Sequence, residues 1–571
     1  MPKWKVQASL DAAPLVSQSE PSMHPVLQLL LEQRGVLDAE EQGRFFFPDY
    51  ERDLHDPFLF TSMRRVVDRI ARAKANGECV GVFGDYDADG VTSSVILRTG
   101  LEALGLAVSV YIPNKNTEGH GLHVNAIDAF IQAGVTLAFT VDCGMTNHAE
   151  ILEAKHRGIE FIVIDHHHVP EVLPEAFAIV NPKLPDAGYP FTELCGAGTT
   201  FKVVQALYQD LLPGAVSQLK WLLDVAAIGT VADVMPLIGE NRTLVHFGLI
   251  VLGKTRRIGL QELFAVGRIP IDDNHMPTAW SISFQVAPRI NATSRMAHAM
   301  QAHKLLMTTD RVEARDLALE IESHNVERRK VSDYITTQVR KIALEASEKK
   351  LIFAVDEQFA FGVVGLVAGR IANEFGKPTV VLQRSEEVSQ GSLRSVPSVN
   401  IIEAIEECGD LLVKFGGHAQ AAGLTVKNEL LDAFHERFEA AVAKRLAGIT
   451  PEAELLIDAR VSPYVLTLEL LRDLQRMAPF GQGNPEPTFL VENMIVNEAR
   501  MVGNGNKHLK LTLSAEDGGQ KTWDAIAFGL GERFPDLKSG DHLDLVIQLD
   551  ANTWNGSTEL QFKVVDMRRS G

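Results

Sequence analysis

Cys79-Val-Gly-Val-Phe-Gly84-Asp85-Tyr86-Asp87-Ala88-Asp89-Gly90 is the stretch on which the fold turns. It opens as a short apolar, β-prone run, then sets carboxylates at alternate positions before a helical pattern over Thr92-Leu104. Alternate side chains of an extended segment project the same way, so at least two of Asp85, Asp87 and Asp89 converge. Like charges so close repel unless a cation sits among them. An acidic helix-capping turn is the bland alternative. An EF-hand loop is disfavoured, because no Glu stands at its twelfth position.

Outward from this stretch, Ala107-Pro113, Leu137-Val141, Phe161-Ile164 and Ala178-Val180 read as further strands, with a helix over Ala126-Ala133. The alternation is that of a parallel, doubly wound sheet, which binds ligands beyond the carboxyl ends of its strands. At those ends stand Asp142-Cys143-Gly144 and Asp165-His166-His167-His168. Carboxylates mixed with imidazole suit Mn²⁺ or Mg²⁺, with His favouring Mn²⁺. Cys143 has no separate His/Asn context that singles it out as a nucleophile. Further on, Asp224 lies in a helical stretch, whereas Asp233 follows a Gly-Thr break and precedes a Pro-bounded turn. Asp233 is therefore favoured as a ligand, with Asp224 kept as a candidate behind it.

A length of 571 residues predicts three to four domains. The expected divisions are an N-terminal helical segment (1–70), a first α/β domain (71–305), a connecting long helix (306–350), a second α/β domain (351–454) and a β-barrel (455–571). Neither Gly nor Pro interrupts Arg289 to Phe361, and apolar residues recur at Leu317, Ile321, Val331, Ile335, Val339 and Ile342, as in a long helix. Strands at Leu351-Val355 and Pro378-Leu382 flank a helix near Val363-Ala372. The alternation at Leu509/Leu511/Leu513, Leu543/Leu545/Ile547/Leu549 and Leu560/Phe562/Val564, with Phe489-Val496 and Ala525-Phe528, suits a small OB-type barrel.

The formal charge of −19 does not announce a nucleic-acid partner, so any such site needs local basic patches or bound cations. Cys79, Cys143, Cys195 and Cys408 lie far apart, without CxxC spacing, as expected in a reducing cytoplasm. The first twenty residues lack the apolar region of a secretory signal. The apolar run Trp221 to Gly239 contains Asp224 and Asp233, which argues against a membrane span.

Asp-Tyr-Asp-Ala-Asp-Gly, Asp-Cys-Gly, Asp-His-His and Gly-Thr-Val-Ala-Asp-Val-Met-Pro-Leu, in this order, resemble the DHH phosphoesterase superfamily. The long form resembles its single-stranded-DNA-specific 5′→3′ exonucleases, from about residue 45 to the carboxyl end. The resemblance implies α/β architecture: a parallel-sheet DHH domain and a second α/β DHH-associated domain joined by a long helix, then an OB-type β-barrel. It also implies two divalent ions, Mn²⁺ or Mg²⁺, held by Asp87, Asp89, Asp142, His166 and Asp233, with Asp85 adjacent and His167 facing the substrate. Cations sharing a carboxylate activate water and neutralise a phosphodiester during in-line displacement.

Gly362-Val-Val-Gly365-Leu-Val-Ala-Gly369-Arg370, Gly391-Ser392-Leu393-Arg394-Ser395 and Gly416-Gly417-His418 resemble the DHH-associated domain. Ser392 and Arg394 are expected to meet a terminal phosphate, and Arg370 and His418 to line the substrate site. Lys115 stands where the family usually has Arg, His120 where it has Tyr, and Ser294 where Gly is common. Lys115 keeps the charge but loses bidentate geometry. Arg289 and Arg295 are candidates for the DNA path, with interdomain salt bridges as the alternative. In the barrel, Trp523 and Trp554 are candidates to stack on bases, or are core, with Lys507, Lys510 and Arg568 tracking the backbone. The resemblance further implies single-stranded DNA as partner, a single-strand-binding protein and a helicase as associates, a monomer, and DNA repair and recombination as setting.

Overall fold

The computed structural model describes residues 3–10, 23–115, 117–271, 275–447, 454–516, 519–554 and 556–570. The chain forms two compact units, one of Leu54–Ala453 and one that joins Met1–Asp53 to Glu454–Gly571.

In the larger unit, β1 (Cys79–Gly84), β2 (Ala107–Tyr111), β3 (Val135–Val141), β4 (Glu160–Ile164) and β5 (Ala178–Val180) form an all-parallel sheet in the order β2-β1-β3-β4-β5. Strands covered on both faces read as nearly continuous apolar runs, and Val80, Val82, Leu137, Phe139, Ile162 and Ile164 are fully buried. Gly81 interrupts β1 because a Cβ there would stand 3.1 Å from Ala138, Phe130 and Val135. The chain leaves β1 into α1 (Ala88–Ala103), which starts earlier than the sequence pattern suggests. Asp87 caps it, its carboxylate accepting from the N–H groups of Asp89 and Gly90 at 2.9 and 3.0 Å. One member of the acidic trio therefore does perform the capping that was the bland alternative.

α2 (Gly196–Leu211) and α3 (Leu223–Ala232) pack on α1. The helical stretch Pro213–Ala232 is apolar and long enough to cross a membrane, but 61% of it is buried inside the fold, as in a core helix. α4 (Ala287–Met296) leads to α5 (Arg311–Glu345), whose 35 residues rise about 50 Å at 1.5 Å per residue. The inward stripe of α5, Ala314, Ala318, Ile321, Asn325, Ser332, Ile335, Val339 and Ala343, follows the helical period. Beyond it, β6 (Ile352–Asp356), α6 (Phe361–Phe375), β7 (Thr379–Arg384), β8 (Val388–Arg394), β9 (Leu412–His418) and β10 (Ala421–Lys427) make the second α/β layer. Its sheet runs β9-β10-β8-β7-β6, parallel only between β6 and β7.

The smaller unit is built on β11 (Phe489–Val502), β12 (His508–Ala515), β13 (Thr522–Ala527), β14 (His542–Trp554) and β15 (Ser557–Arg569). The order β12-β13-β15-β14-β11, with β12 also paired to β11, closes a barrel. Two more strands extend it beyond β11: Ala459–Val461, and then Ser9–Leu10 in parallel. Lys3–Val6 pairs in parallel with Glu454–Ile457. The N-terminal stretch expected to be one helical segment thus divides. Its first residues are strands of the barrel unit, Pro25–Gln33 and Ala39–Phe46 are helices of that unit, and Met63–Asn76 is a helix of the other. Strands of two to four residues carry too little periodicity to be read.

Candidate metal centre

The carboxyl ends of β1, β3 and β4 gather the acidic motifs, and the end of α3 adds Asp233. His166 Nε2 lies 3.2 Å from Asp142 Oδ1, 3.5 Å from Asp233 Oδ2 and 3.8 Å from Asp89 Oδ2. The trios Asp89–His166–Asp233 and Asp85–Asp87–Asp142 each bring potential ligand atoms within 4.8 Å of one another, as does Asp142–His166–His167. Asp142 belongs to the second trio, and its Oδ1 reaches His166 Nε2 of the first at 3.2 Å. Every sequence-predicted ligand is therefore present in one cluster.

Local backbone explains the aim of these groups. Asp142 leaves β3 in the left-handed region, φ 62°, with its N–H bonded to Ile164 O at 3.0 Å. Val234, directly after Asp233, is also left-handed at φ 59°, a strained state for a β-branched residue. Asp89 is held by α2, accepting from Gly196 N–H at 2.7 Å and Ala197 N–H at 2.8 Å. A Cβ on Gly196 would stand 2.6 Å from Asp142 Cβ, so only glycine lets that helix end approach.

Burial and mutual repulsion dominate the electrostatics. Burial, then Asp89, Asp87, Asp85 and Asp233, raises the Asp142 carboxyl well above its usual range. Burial, then Asp89 and Asp87, pushes Asp233 up to about 8, and burial, then Asp87, pushes Asp89 up to about 6. Burial and the neighbouring His167 take His166 down to about 3. A neutral imidazole is the form that ligates metal, and bound cations remove the penalty on the carboxylates. Buried Asp85 Oδ1, Asp233 Oδ2 and His166 Nδ1 have no hydrogen-bond partner among the described residues. Oxygen donors joined by one imidazole, left unsatisfied by protein, fit Mn²⁺ or Mg²⁺.

His167 behaves oppositely. Burial alone lowers it, but its hydrogen bond to Asp165 at 2.8 Å prevails and raises it to about 9. Half exposed and cationic, it flanks the ligands. Cys143 is buried, with its thiol raised well above the usual range by burial, and is no nucleophile.

A basic group borders the acidic one. Lys115 sits 5.3 Å over the Tyr86 ring, and burial and Arg295 lower it to about 8 despite Asp85 and Asp87. Arg295 donates to Gly362 O at 2.9 Å and lies in the field of Asp87 and Arg394. Arg394 donates to Ser392 Oγ at 2.5 Å, and Gly365 leaves both groups room. His120, the other departure, lies 3.2 Å from Asp85 Oδ2. Arg370 is turned to Asp333 at 2.8 Å, and His418 is exposed on β9.

Three expectations are corrected. Arg289 is buried and its donors are occupied: Nε by Glu322 at 2.5 Å, the terminal nitrogens by Gln285 O and Gly267 O at 2.6 and 3.2 Å. It ties helices together and does not face a DNA path. Asp224 accepts from Thr255 Oγ1 at 2.7 Å and pairs with Arg257, outside the metal cluster. Trp523 is barrel core, 3% exposed, between Tyr464 and Phe562, so it cannot stack on bases. The side chain of Trp554 lies outside the described residues, as does all of Asn116. Lys507 is exposed, Lys510 lies 4.0 Å from Asp524, and Arg568 bonds Asp544 at 3.1 Å and covers the Trp4 ring.

Two contributors have roles that the sequence does not assign. Asp165 orients His167 and also accepts from the N–H groups of His166, His167 and Met145. Asn291 Oδ1 accepts from Ala88 N–H at 2.8 Å and so supports the acidic turn. The Asp165 signal was visible within Asp165-His166-His167, but spacing does not tell an orienting acid from a ligand.

Family models match three segments: the DHH family N-terminal domain at residues 79–230, the DHHA1 domain at 348–444 and the RecJ OB domain at 457–566. The single-stranded-DNA-specific exonuclease RecJ of Bacillus subtilis is 35% identical, over 99% of this chain and 70% of that protein. The protein of the same name from Escherichia coli is 31% identical, over 94% of each. The crystal structure of RecJ in complex with Mn²⁺ from Thermus thermophilus superposes with a TM-score of 0.80 at 30% identity, covering 100% of this chain and 80% of that one. Its Mg²⁺ complex gives 0.75 at 28% identity, covering 100% and 79%.

Proposed function

This chain belongs to the RecJ family of single-stranded-DNA-specific exonucleases, and on that premise we propose that it degrades single-stranded DNA from the 5′ end, releasing 5′-mononucleotides. It is a metal-dependent nuclease. The observation that carries the reading is the convergence of Asp89, Asp142 and Asp233 on His166 Nε2.

Asp85, Asp87, Asp89, Asp142, His166 and Asp233 would hold the ions. Two divalent cations, when bound, supply an activated water and neutralise charge building on the phosphodiester. His167, kept cationic and fixed by Asp165, donates to a non-bridging phosphate oxygen. Ser392 and Arg394 receive the 5′-terminal phosphate, with Lys115 and Arg295 as further cations beside it. Arg370 and His418 meet the strand farther from the reacting atoms. The barrel unit supplies grip on the strand. The setting is the cytoplasm and DNA repair and recombination; the enzyme acts as a monomer, with a single-strand-binding protein and a helicase as its associates.

The test compares hydrolysis of long single strands and dinucleotides, with and without Mn²⁺. Mn²⁺-dependent release of 5′-mononucleotides from the 5′ end of long strands is expected. Cleavage of dinucleotides alone would make the chain a small-substrate phosphoesterase, and no cleavage would leave a DNA-binding scaffold.

A further inference from the structure

The helical run 279–296 presents a stripe whose amino-terminal half catalysis does not use. Thr278 caps its start, accepting from Ser281 N–H; a π-helical turn, Ile282–Val286, follows and passes into α4. Pro288 lacks the N–H that would reach the Phe284 carbonyl in an ordinary turn, Ala287 N–H bonds Ile282 O across the wide turn, and the Arg289 guanidinium donates to Gln285 O at 2.6 Å beside it.

Ile282, Val286 and Ile290 of this run face the core. The outward positions are Trp280, Phe284, Pro288, Asn291 and Arg295, spaced by three or four residues along one face. Its carboxyl end belongs to the metal centre, since Asn291 bonds Ala88 N–H and Arg295 lies in the field of Asp87. Its amino end is aromatic and open. Trp280 is 58% and Phe284 64% exposed, their rings stacked 5.3 Å apart at 30°. α3, which ends at Asp233, packs against the same π-helical turn. Phe284 precedes Asn291 by seven residues, about 10 Å of helix rise, within reach of a strand whose scissile phosphate lies at the metals.

We propose that Trp280 and Phe284 form a stacking platform for bases of the single strand that have not yet reached the metal centre. The proposal rests on the nuclease reading above. Two observations select this occupant: the stripe is continuous with the metal centre, and its order of rings, amide and guanidinium matches bases followed by phosphate. Stacking is also insensitive to charge, which suits a chain of net charge −19 that attracts phosphate poorly from afar.

The test uses the full chain with Mn²⁺ and 5′-phosphorylated oligothymidylates from the dinucleotide upward. In Trp280→Ala and Phe284→Ala, the ratio of kcat/KM on long strands to that on the dinucleotide should fall roughly 5- to 150-fold, through KM. Trp280→Phe and Phe284→Tyr should restore it. Both rings are more than half exposed, so the variants should match the parent in thermal transition. If the parent cleaves long strands and the ratio stays within twofold in both alanine variants, the platform is overturned while the nuclease reading stands. A parent that cleaves nothing with Mn²⁺ overturns both. If the variants alter only sedimentation, the pair is a self-association surface and the platform is withdrawn.

Discussion

Asp165 Oδ1 stands 2.8 Å from His167 Nδ1, and this carboxylate, itself bonded to backbone N–H groups, makes His167 a cation at neutral pH. The folded-state value of about 9 exceeds the 6.5 of a free histidine. The stabilisation it brings is therefore complete below pH 6.5 and is lost as pH climbs through 9. In metal-free protein, NMR titration of the His167 ring should give a midpoint near 9, moving down by more than one unit in Asp165→Asn. A midpoint that stays put would separate the two residues.

Crowded carboxylates should make the metal-free centre a source of instability. Asp142→Asn removes a carboxyl raised well above its usual range by burial and its neighbours, and Asn tolerates the left-handed backbone there. Without metal its thermal transition should rise above the parent's. Added Mn²⁺ should stabilise the parent and do little for the variant. Asp89→Ala and His166→Ala should abolish hydrolysis with the fold intact by circular dichroism, and substantial turnover at saturating Mn²⁺ would remove them from the ligand set.

Polarity should reside in Ser392 and Arg394. A guanidinium–phosphate contact is worth about 1.5 to 3 kcal/mol, or roughly 10- to 150-fold. Arg394→Ala should erase most of the preference for 5′-phosphorylated over 5′-hydroxyl strands in competition assays. Release of mononucleotides from the 3′ end would contradict the assignment.

Arg289→Ala should behave as a folding variant. It takes one partner from Glu322, which keeps Arg329 at 3.5 Å, and a donor from each of two backbone carbonyls, at a cost of about 2 kcal/mol read by urea unfolding. The slope of log affinity against log salt should not change, since no phosphate contact is lost. A slope reduced by about one would show the guanidinium on DNA.

The sequence disclosed what has period or fixed order. Parallel strands buried on both faces announce themselves as apolar runs, and the carboxylates after β1, β3 and β4 follow them within one to five residues. The rest depended on distance in space. Trp523 looks the same in sequence whether it faces a barrel interior or solvent, and Arg289 fits a DNA path or a salt bridge equally until Glu322, from another helix, comes to meet it. Asp224 and Asp233 were separable because one sits inside a helix and the other at its end. Asp165 escaped because an orienting acid and a ligand are the same residue type at the same strand end.

The parallel pairing of Ser9–Leu10 with Ala459–Val461, and the bond from Trp4 Nε1 to Asp566 Oδ2 at 2.8 Å, bear on synthesis as well as on stability. On the ribosome the first strands wait for partners made some 450 residues later, roughly 20 to 90 s at bacterial elongation rates. The nuclease unit, Leu54–Ala453, emerges whole in that interval. It is therefore able to fold before the barrel unit can close, while Lys3–Val6 and Ser9–Leu10 await the strands they pair with.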